Sequence, residues 1–333
     1  MIRLGIAIQE TWNFFNEIYT DLEIHYKTTL LSTRSWHLPI FSERVNRFLF
    51  RHDLNAFLND NDVVFFEWSS NLLAAATHLP KACGIVTRLH RYEMYEWANR
   101  INWEPIDKII LVSQAKKKEF LAKFPNQEHK VIVCSPSISM VKFTPEPKIF
   151  NGDIGILCNL TPRKRIYDLI LNFYELTKTT DYFHLHIGGG TDPSFQDYYE
   201  ALQHIVIELK LQDKVTFYGN ITDTPNWYHK IDIFISNSYS EGLQVAPMEA
   251  MASGCYCVSH RWDGAEELLP QENLFYTGND LQEKIISYYS LTEDQKLEKK
   301  KLMRSIAMEK FDIKRTILQV ELAIDEAAGI NSQ

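Results

Sequence analysis

Short runs of apolar residues constrain this chain more than any other feature. The first half carries "IRLGIAI" (2–8), "DVVFFEW" (62–68), "GIVTRLH" (84–90), "KIILVS" (108–113) and "KVIVCS" (130–135). The second half repeats the rhythm with "DIGILCNL" (153–160), "DYFHLHIGGG" (181–190), "KVTFYGN" (214–220), "DIFISNS" (232–238) and "CYCVSH" (255–260). These runs are largely continuous rather than alternating, which is the pattern of parallel strands buried on both faces. Amphipathic stretches at 41–59, 113–124, 166–176 and 194–210 fill the gaps with helices. "TPEPKIFNGD" (144–153), with two prolines and a glycine, interrupts the rhythm as a linker. At 333 residues the chain is about two domains long. The expected fold is α/β: two doubly wound, Rossmann-like domains facing a cleft, over 1–147 and 148–310. A helix and tail over 311–333 then return to the first domain.

Composition narrows the function classes. The first 150 residues hold 18 Lys and Arg against 16 Asp and Glu, and the remainder 17 against 27. Neither half is basic enough for a nucleic-acid partner, and the asymmetry suggests different partners for the two. Five cysteines, an odd number on a long chain, argue against a disulfide framework. Cys255 and Cys257 lie near His260, yet their spacing is not C-x-x-C and no second pair follows, so they read as a buried strand and no metal is expected. There is no basic leader followed by an apolar run, and no stretch nears the ~20 apolar residues of a membrane span. The expected location is cytoplasmic.

In such sheets ligands bind beyond the carboxyl ends of the strands. After "DIFISNS" comes "YSEGLQVAPMEAMASG" (239–254). Pro247 is tolerated in the first turn of a helix and Gly254 suits its end, so Glu241 falls on the loop and Glu249 in the early helix. The backbone N–H groups of Gly242, Leu243, Gln244 and Val245 open that helix, where a phosphate would be welcome. A diphosphate there, with a carboxylate on each side to accept from hydroxyls, is a nucleotide-sugar geometry. Two surface glutamates, Glu249 simply favouring the helix dipole, would read the same way by spacing alone.

The stretch "ISNSYSEGLQVAPMEAMASGCYCVSHRWDGAEEL" resembles the signature of GT-B retaining glycosyltransferases of family 4 (glycosyltransferase group 1): a strand ending in Ser, E-G-x-x-x-x-x-x-E, A-M-A-x-G, a strand and a G-x-x-E turn. The resemblance extends over nearly the whole chain. It implies that Glu241 lies near the donor sugar and that Glu249 binds the ribose hydroxyls. "NLTPRKRIYDLI" (159–170) resembles the family's phosphate-gripping G-R-x-x-x-x-K-G segment. Lys164 falls on the family lysine, Asn159 where arginine is usual and Arg165 where glycine is usual, so Arg163 or Arg165 is left to supply the second charge. "IVTRLHRYE" (85–93) resembles the strand ending in T-x-H-G-x-E. This makes His90 the residue expected near the donor sugar, with Arg91 replacing a glycine and Glu93 available to the acceptor. Base recognition, as the resemblance implies, is expected from backbone groups around Gly188–Gly190 and Tyr218–Asn220, Gly189 and Tyr218 among them.

Two departures concern the first domain. The loop "QETWNFFNE" (9–17) lacks the family's glycine pair and could bring Trp12 or Phe14 against a sugar or lipid, or pack as a satellite core. The P-N-G-V-D turn is here "SPSISM" (135–140). Arg44, Arg47 and Arg51 on one helical face, with Lys116, Lys117, Lys118 and Lys123 further on, suit an interfacial helix or an ordinary solvated face.

The resemblance implies a retaining glycosyltransferase that moves a sugar from a nucleotide diphosphate sugar to a glycan or lipid-linked acceptor in cell-surface polysaccharide or glycoconjugate synthesis. No cofactor is expected beyond the donor itself. With no D-x-D pair placed for a divalent cation, the expected chemistry is metal-independent, and peripheral contact with the inner face of the membrane is a further expectation. A non-catalytic nucleotide-sugar-binding homologue is the alternative. A nicotinamide oxidoreductase is disfavoured, because no G-x-G-x-x-G follows the first strand.

Overall fold

The computed structural model describes residues 1–13, 15–34 and 42–329. Packing divides the chain into two units, Met1–Pro136 with Ile313–Gln333, and Ser137–Asp312.

In the first unit, β1 (Arg3–Ala7), β2 (Lys27–Leu30), β3 (Val63–Phe66), β4 (Gly84–Leu89), β5 (Lys108–Leu111) and β6 (Val131–Val133) form a parallel sheet in the order β2-β1-β3-β4-β5-β6. The apolar runs explain its centre, since every side chain of β3 is buried. The helix Ile313–Ala327 covers one face of this sheet, burying Val320, Ala323 and Ile324 in a cluster with Leu4, Phe65, Val86 and Ile110. The Tyr26 hydroxyl donates to Asp325 at 3.0 Å and pins that helix further. The expected return of the C-terminal helix to the first domain is therefore present.

In the second unit, β7 (Asp153–Leu157), β8 (His184–Gly188), β9 (Val215–Gly219), β10 (Ile233–Ser236), β11 (Tyr256–His260) and β12 (Leu274–Phe275) form another parallel sheet, ordered β12-β11-β10-β7-β8-β9. Strand order reverses between β7 and β10, so the loops leaving those two strands border the crevice where open α/β sheets take ligands. The helix Ile166–Thr179 seals one face with Ile166, Leu169, Ile170 and Phe173. Both sheets are doubly wound, as the apolar runs require.

Three details differ from the sequence reading. β2 and β12 were not anticipated: β2 is a largely exposed edge with the polar sequence KTTL, and β12 is two residues long. The strands end earlier than the apolar runs, because the runs continue into the loops that carry the site. The stretch 137–147 packs in the second unit, where Ile138 and Phe143 join the core and Ile138 bridges to Asp312. Cys83, Cys134, Cys255 and Cys257 are buried free thiols, and burial pushes the Cys255 thiol up to about 12.

Candidate active site

The loop after β7 makes a 3-10 turn, Pro162–Lys164, and Arg165 then links it to the helix Ile166–Thr179. Arg165 adopts the left-handed conformation, with φ 53° and ψ 42°. A Cβ is strained there, which is the physical reason a glycine would be the easier residue at this position. The turn aims Arg163 and Lys164 toward the loop after β10. Lys164 Nζ donates to Glu241 Oε1 at 2.7 Å, and Arg163 Nη1 donates to the same oxygen and, at 2.8 Å, to the Ser240 carbonyl.

Glu241 is 8% exposed. Burial alone would push its carboxyl up, but Lys164 and Arg163 beside it outweigh burial and hold it at about 2. It is a carboxylate across the physiological range, clamped by two cations. Gln244 adds a third donor, its Nε2 lying 2.8 Å from Oε1. The helix Val245–Ala252 starts immediately after, with no side-chain cap on its first turn from Gln244. A helix start beside two cations is a place for an anion. Glu249, half-buried on this helix, accepts from the fully buried Tyr228 hydroxyl at 2.9 Å.

Other donor-side candidates are placed differently. Asn159 is exposed at the start of the same loop, its carbonyl accepting from Thr161 N. Gly189, with φ +125°, is required by packing, since a Cβ would lie 1.7 Å from the Cys158 carbonyl oxygen. Its N–H donates to the Gly219 carbonyl at 2.8 Å, so that group is committed to the sheet rather than to a base. The Tyr218 hydroxyl pairs with His186 Nδ1 at 2.7 Å, and His186 Nε2 in turn with Asp153 at 2.9 Å.

In the first unit a second constellation follows β3 and β4. Glu67, fully buried, accepts from Arg88 Nε at 3.1 Å and from Arg88 Nη2, and lies 3.3 Å from His90 Nε2. The His90 ring stacks on Trp68, with centroids 4.2 Å apart. Glu93 is 0% exposed. Its Oε1 accepts from the backbone N–H of Ser69 at 3.3 Å and of His90 at 3.4 Å, tying the two loops together. Burial pushes its carboxyl up against the downward pull of His90 and those N–H groups. Glu93 is therefore turned inward as a cap, away from the solvent an acceptor would arrive from. Arg91 lies over the Tyr95 ring at 5.0 Å. Trp12 is half-buried, packing edge-on against Tyr19 at 5.3 Å, with the neighbouring Phe15 stacked on Phe65. Phe14 lies outside the described residues.

Of the basic surface residues, Arg44, Arg47 and Arg51 are exposed on the helix Ser42–Asp60 beside Phe48, itself 68% exposed. Lys116 is not part of that surface. It is buried and donates to Glu119 at 2.7 Å.

Residues 151–290 match the family model described as glycosyl transferases group 1. This match lies within the second unit. The lipopolysaccharide core biosynthesis mannosyltransferase LpsB of Rhizobium meliloti (strain 1021) is 27% identical to the chain over 112 residues, 32% of each chain. Mannosylfructose-phosphate synthase of Agrobacterium fabrum (strain C58 / ATCC 33970) is 24% identical over 255 residues, 66% of this chain and 56% of the relative. These alignments thus span about a third and just over half of the relatives' lengths. Among solved structures, Anabaena Alr3699/HepE, in complex with UDP and glucose, superposes with a TM-score of 0.78 at 17% identity, covering 98% of this chain and 100% of that one. That likeness concerns the fold alone.

The Glu67–Arg88 pair, the Trp68–His90 stack and the side-chain roles of Gln244 and Tyr228 were not foreseen. A signal existed for the first: Glu67 and Arg88 are charges set at the end of, or inside, otherwise apolar runs, where they need partners. Gln244 occupies a variable position of the motif, and Tyr228 reads as an ordinary core aromatic.

Proposed function

We propose that the protein is a retaining glycosyltransferase that takes a nucleotide diphosphate sugar as donor and a glycan or lipid-linked acceptor, in cell-surface polysaccharide or glycoconjugate synthesis. The observation that carries this reading is the convergence of Lys164 and Arg163 on Glu241 at the switch point of the second sheet, beside a helix start. A leaving diphosphate needs compensating charge as its bond to the sugar breaks. Lys164, Arg163 and the N–H groups of Gly242 to Val245 are suited to supply it, so the chemistry is proposed to proceed without a metal. Glu241 acts as an orienting and charge-stabilising carboxylate near the sugar, and Glu249 accepts from the ribose hydroxyls. Arg165 adds positive potential to the phosphate site. His90 contacts the donor sugar, and the aromatic loop with Trp12 contributes to acceptor binding. The similarity to enzymes named for mannosyl transfer and to a protein solved with UDP and glucose supports this class.

Among the described residues no helix is long and apolar enough to cross a membrane. Peripheral contact through Arg44, Arg47, Arg51 and Phe48 is proposed for a lipid-linked acceptor, and flotation with anionic vesicles tests it.

The first experiment is a thermal-shift panel of UDP, GDP, ADP, CMP and dTDP with their common sugar conjugates, on wild type and Lys164→Ala. A ligand at one hundred times its dissociation constant adds ~2.7 kcal/mol. A shift with one base that disappears in the variant is expected, and names the sugars to test for transfer. No shift with any of them, in folded protein at millimolar ligand, overturns the reading.

A further inference from the structure

Gln244 caps the helix Val245–Ala252, yet its side chain does not bond to that helix. It turns the other way. Its Oε1 accepts from the Ser236 hydroxyl, while its Nε2 donates to Ser238 Oγ at 2.9 Å and to Glu241 Oε1 at 2.8 Å. Ser236 and Ser238 sit at the carboxyl end of β10 and are 4% and 1% exposed. The amide therefore bridges the rigid end of a strand to a carboxylate on a loop. Reversing the amide would set its oxygen against a carboxylate oxygen, two acceptors face to face, so the surrounding groups fix one orientation.

Glu241 Oε1 thus receives two cationic donors and one neutral one. These differ in what they do when an anion arrives. An ammonium and a guanidinium are drawn to phosphate oxygens. A neutral amide held by two buried serines is not. We infer that Gln244 is a positioning residue for Glu241, keeping the carboxylate hydrogen-bonded and in place while Lys164 and Arg163 turn to the phosphates of the donor. The inference rests on the proposed function, in which those two cations meet the diphosphate.

The geometry leaves few ways to replace this residue. Without the amide, a buried carboxylate whose cations have turned away loses one of the two neutral side-chain donors to its charged form, the Ser238 hydroxyl being the other, and such a group more readily takes up a proton or moves. Either change would remove it from the sugar at the step where the phosphates are gripped.

The test uses Gln244→Met, close in length but without hydrogen-bonding groups, and Gln244→Glu. For Gln244→Met, kcat is expected to fall about tenfold to a hundredfold, the worth of one hydrogen bond to a charged group. The affinity for the nucleoside diphosphate that wild type binds, measured by calorimetry, should stay within about twofold, because the cations are untouched. For Gln244→Glu, activity should recover in part as pH falls, since a protonated carboxyl donates where the amide did. A second readout needs no turnover. The carbon-13 titration of the Glu241 carboxyl is followed in Lys164→Met, a mimic of the withdrawn cation, with and without Gln244→Met. Adding the second substitution should raise its midpoint by about one unit.

Unchanged kcat in Gln244→Met overturns the inference, as does a titration the second substitution leaves unmoved. Parallel losses of kcat, affinity and melting temperature, with no recovery at low pH in Gln244→Glu, would also overturn it by showing a structural role. If wild type transfers sugar from no donor, the proposed function fails, and the titration decides the inference by itself.

Discussion

Glu241 Oε1 lies 2.7 Å from Lys164 Nζ and is shared with Arg163, so the carboxylate engages the same two cations that the proposed function assigns to a diphosphate. Glu241→Gln should separate these roles. Removing the charge leaves two cations facing each other without a counter-charge, a cost of about 1–3 kcal/mol in urea unfolding at neutral pH. A nucleoside diphosphate should bind the variant at least as tightly as wild type, because it no longer competes with an internal anion, while transfer falls. The acid limb gives a second check. The folded carboxyl sits at about 2 against an ordinary 4.5. The stability it contributes is therefore complete above about 4.5 and lost as pH falls toward about 2. That component should be missing from Glu241→Gln, and a variant that unfolds in acid with the wild-type profile would contradict the assignment.

Arg165 holds a left-handed backbone that its own Cβ resists, at a cost of about 1–2 kcal/mol. Such strain is retained where the side chain earns it. Arg165→Gly should leave the melting temperature unchanged or slightly raised, since the relief is partly offset by the freer unfolded chain. The same variant should show a smaller thermal shift with nucleoside diphosphate, because the guanidinium near the proposed phosphate site is gone. Stability and affinity moving down together would instead mean that the Arg165–Asp168 contact supports the fold.

Gly189 and Gly219 both have positive φ, at 125° and 64°, but they differ in what surrounds them. A Cβ on Gly189 would sit 1.7 Å from the Cys158 carbonyl oxygen, whereas one on Gly219 would meet nothing within 4 Å. Gly189→Ala must therefore move the backbone of β7 relative to β8, and should cost more than about 3 kcal/mol or prevent soluble expression. Gly219→Ala should cost about 1 kcal/mol, from backbone strain alone. Comparable losses in chemical denaturation would show that local clash does not govern this turn.

These contrasts show what the chain discloses before it folds. Apolar runs such as Val63–Phe66 announce buried parallel strands because a strand covered on both faces has no polar side to show. The Glu241 to Glu249 segment was legible because proline, glycine and carboxylates sit at positions fixed by one helix start. Partnerships between distant residues were not legible. Glu93 shows a carboxylate in a promising place, and nothing in "HRYE" says that its oxygen turns inward to two backbone N–H groups. Gln244 is similar: its partners Ser236 and Ser238 lie close in sequence, but the bridge depends on how sharply the chain leaves β10. Edge elements such as β2 were missed because an exposed strand has little hydrophobic signature.

Glu93 itself supplies the last expectation, of opposite sign to that of Glu241. Its carboxyl is fully buried, and burial raises it above its ordinary 4.5 despite the pull of His90. A raised folded value means that its contribution to stability is complete below about 4.5 and is lost as pH rises through the folded value. Glu93→Gln keeps the carbonyl oxygen that accepts from Ser69 and His90 but cannot ionise. Near pH 4 the variant should be no more stable than wild type, since a protonated carboxyl and an amide make similar demands. As pH rises, wild type should lose stability relative to the variant, so that the difference in unfolding free energy grows steadily in favour of glutamine. Glu93→Ala should be less stable at every pH, because two buried backbone N–H groups lose their acceptor. A Glu93→Gln difference that stays flat from acid to neutral pH would mean that the carboxylate is stabilised where it lies, and that burial does not govern it.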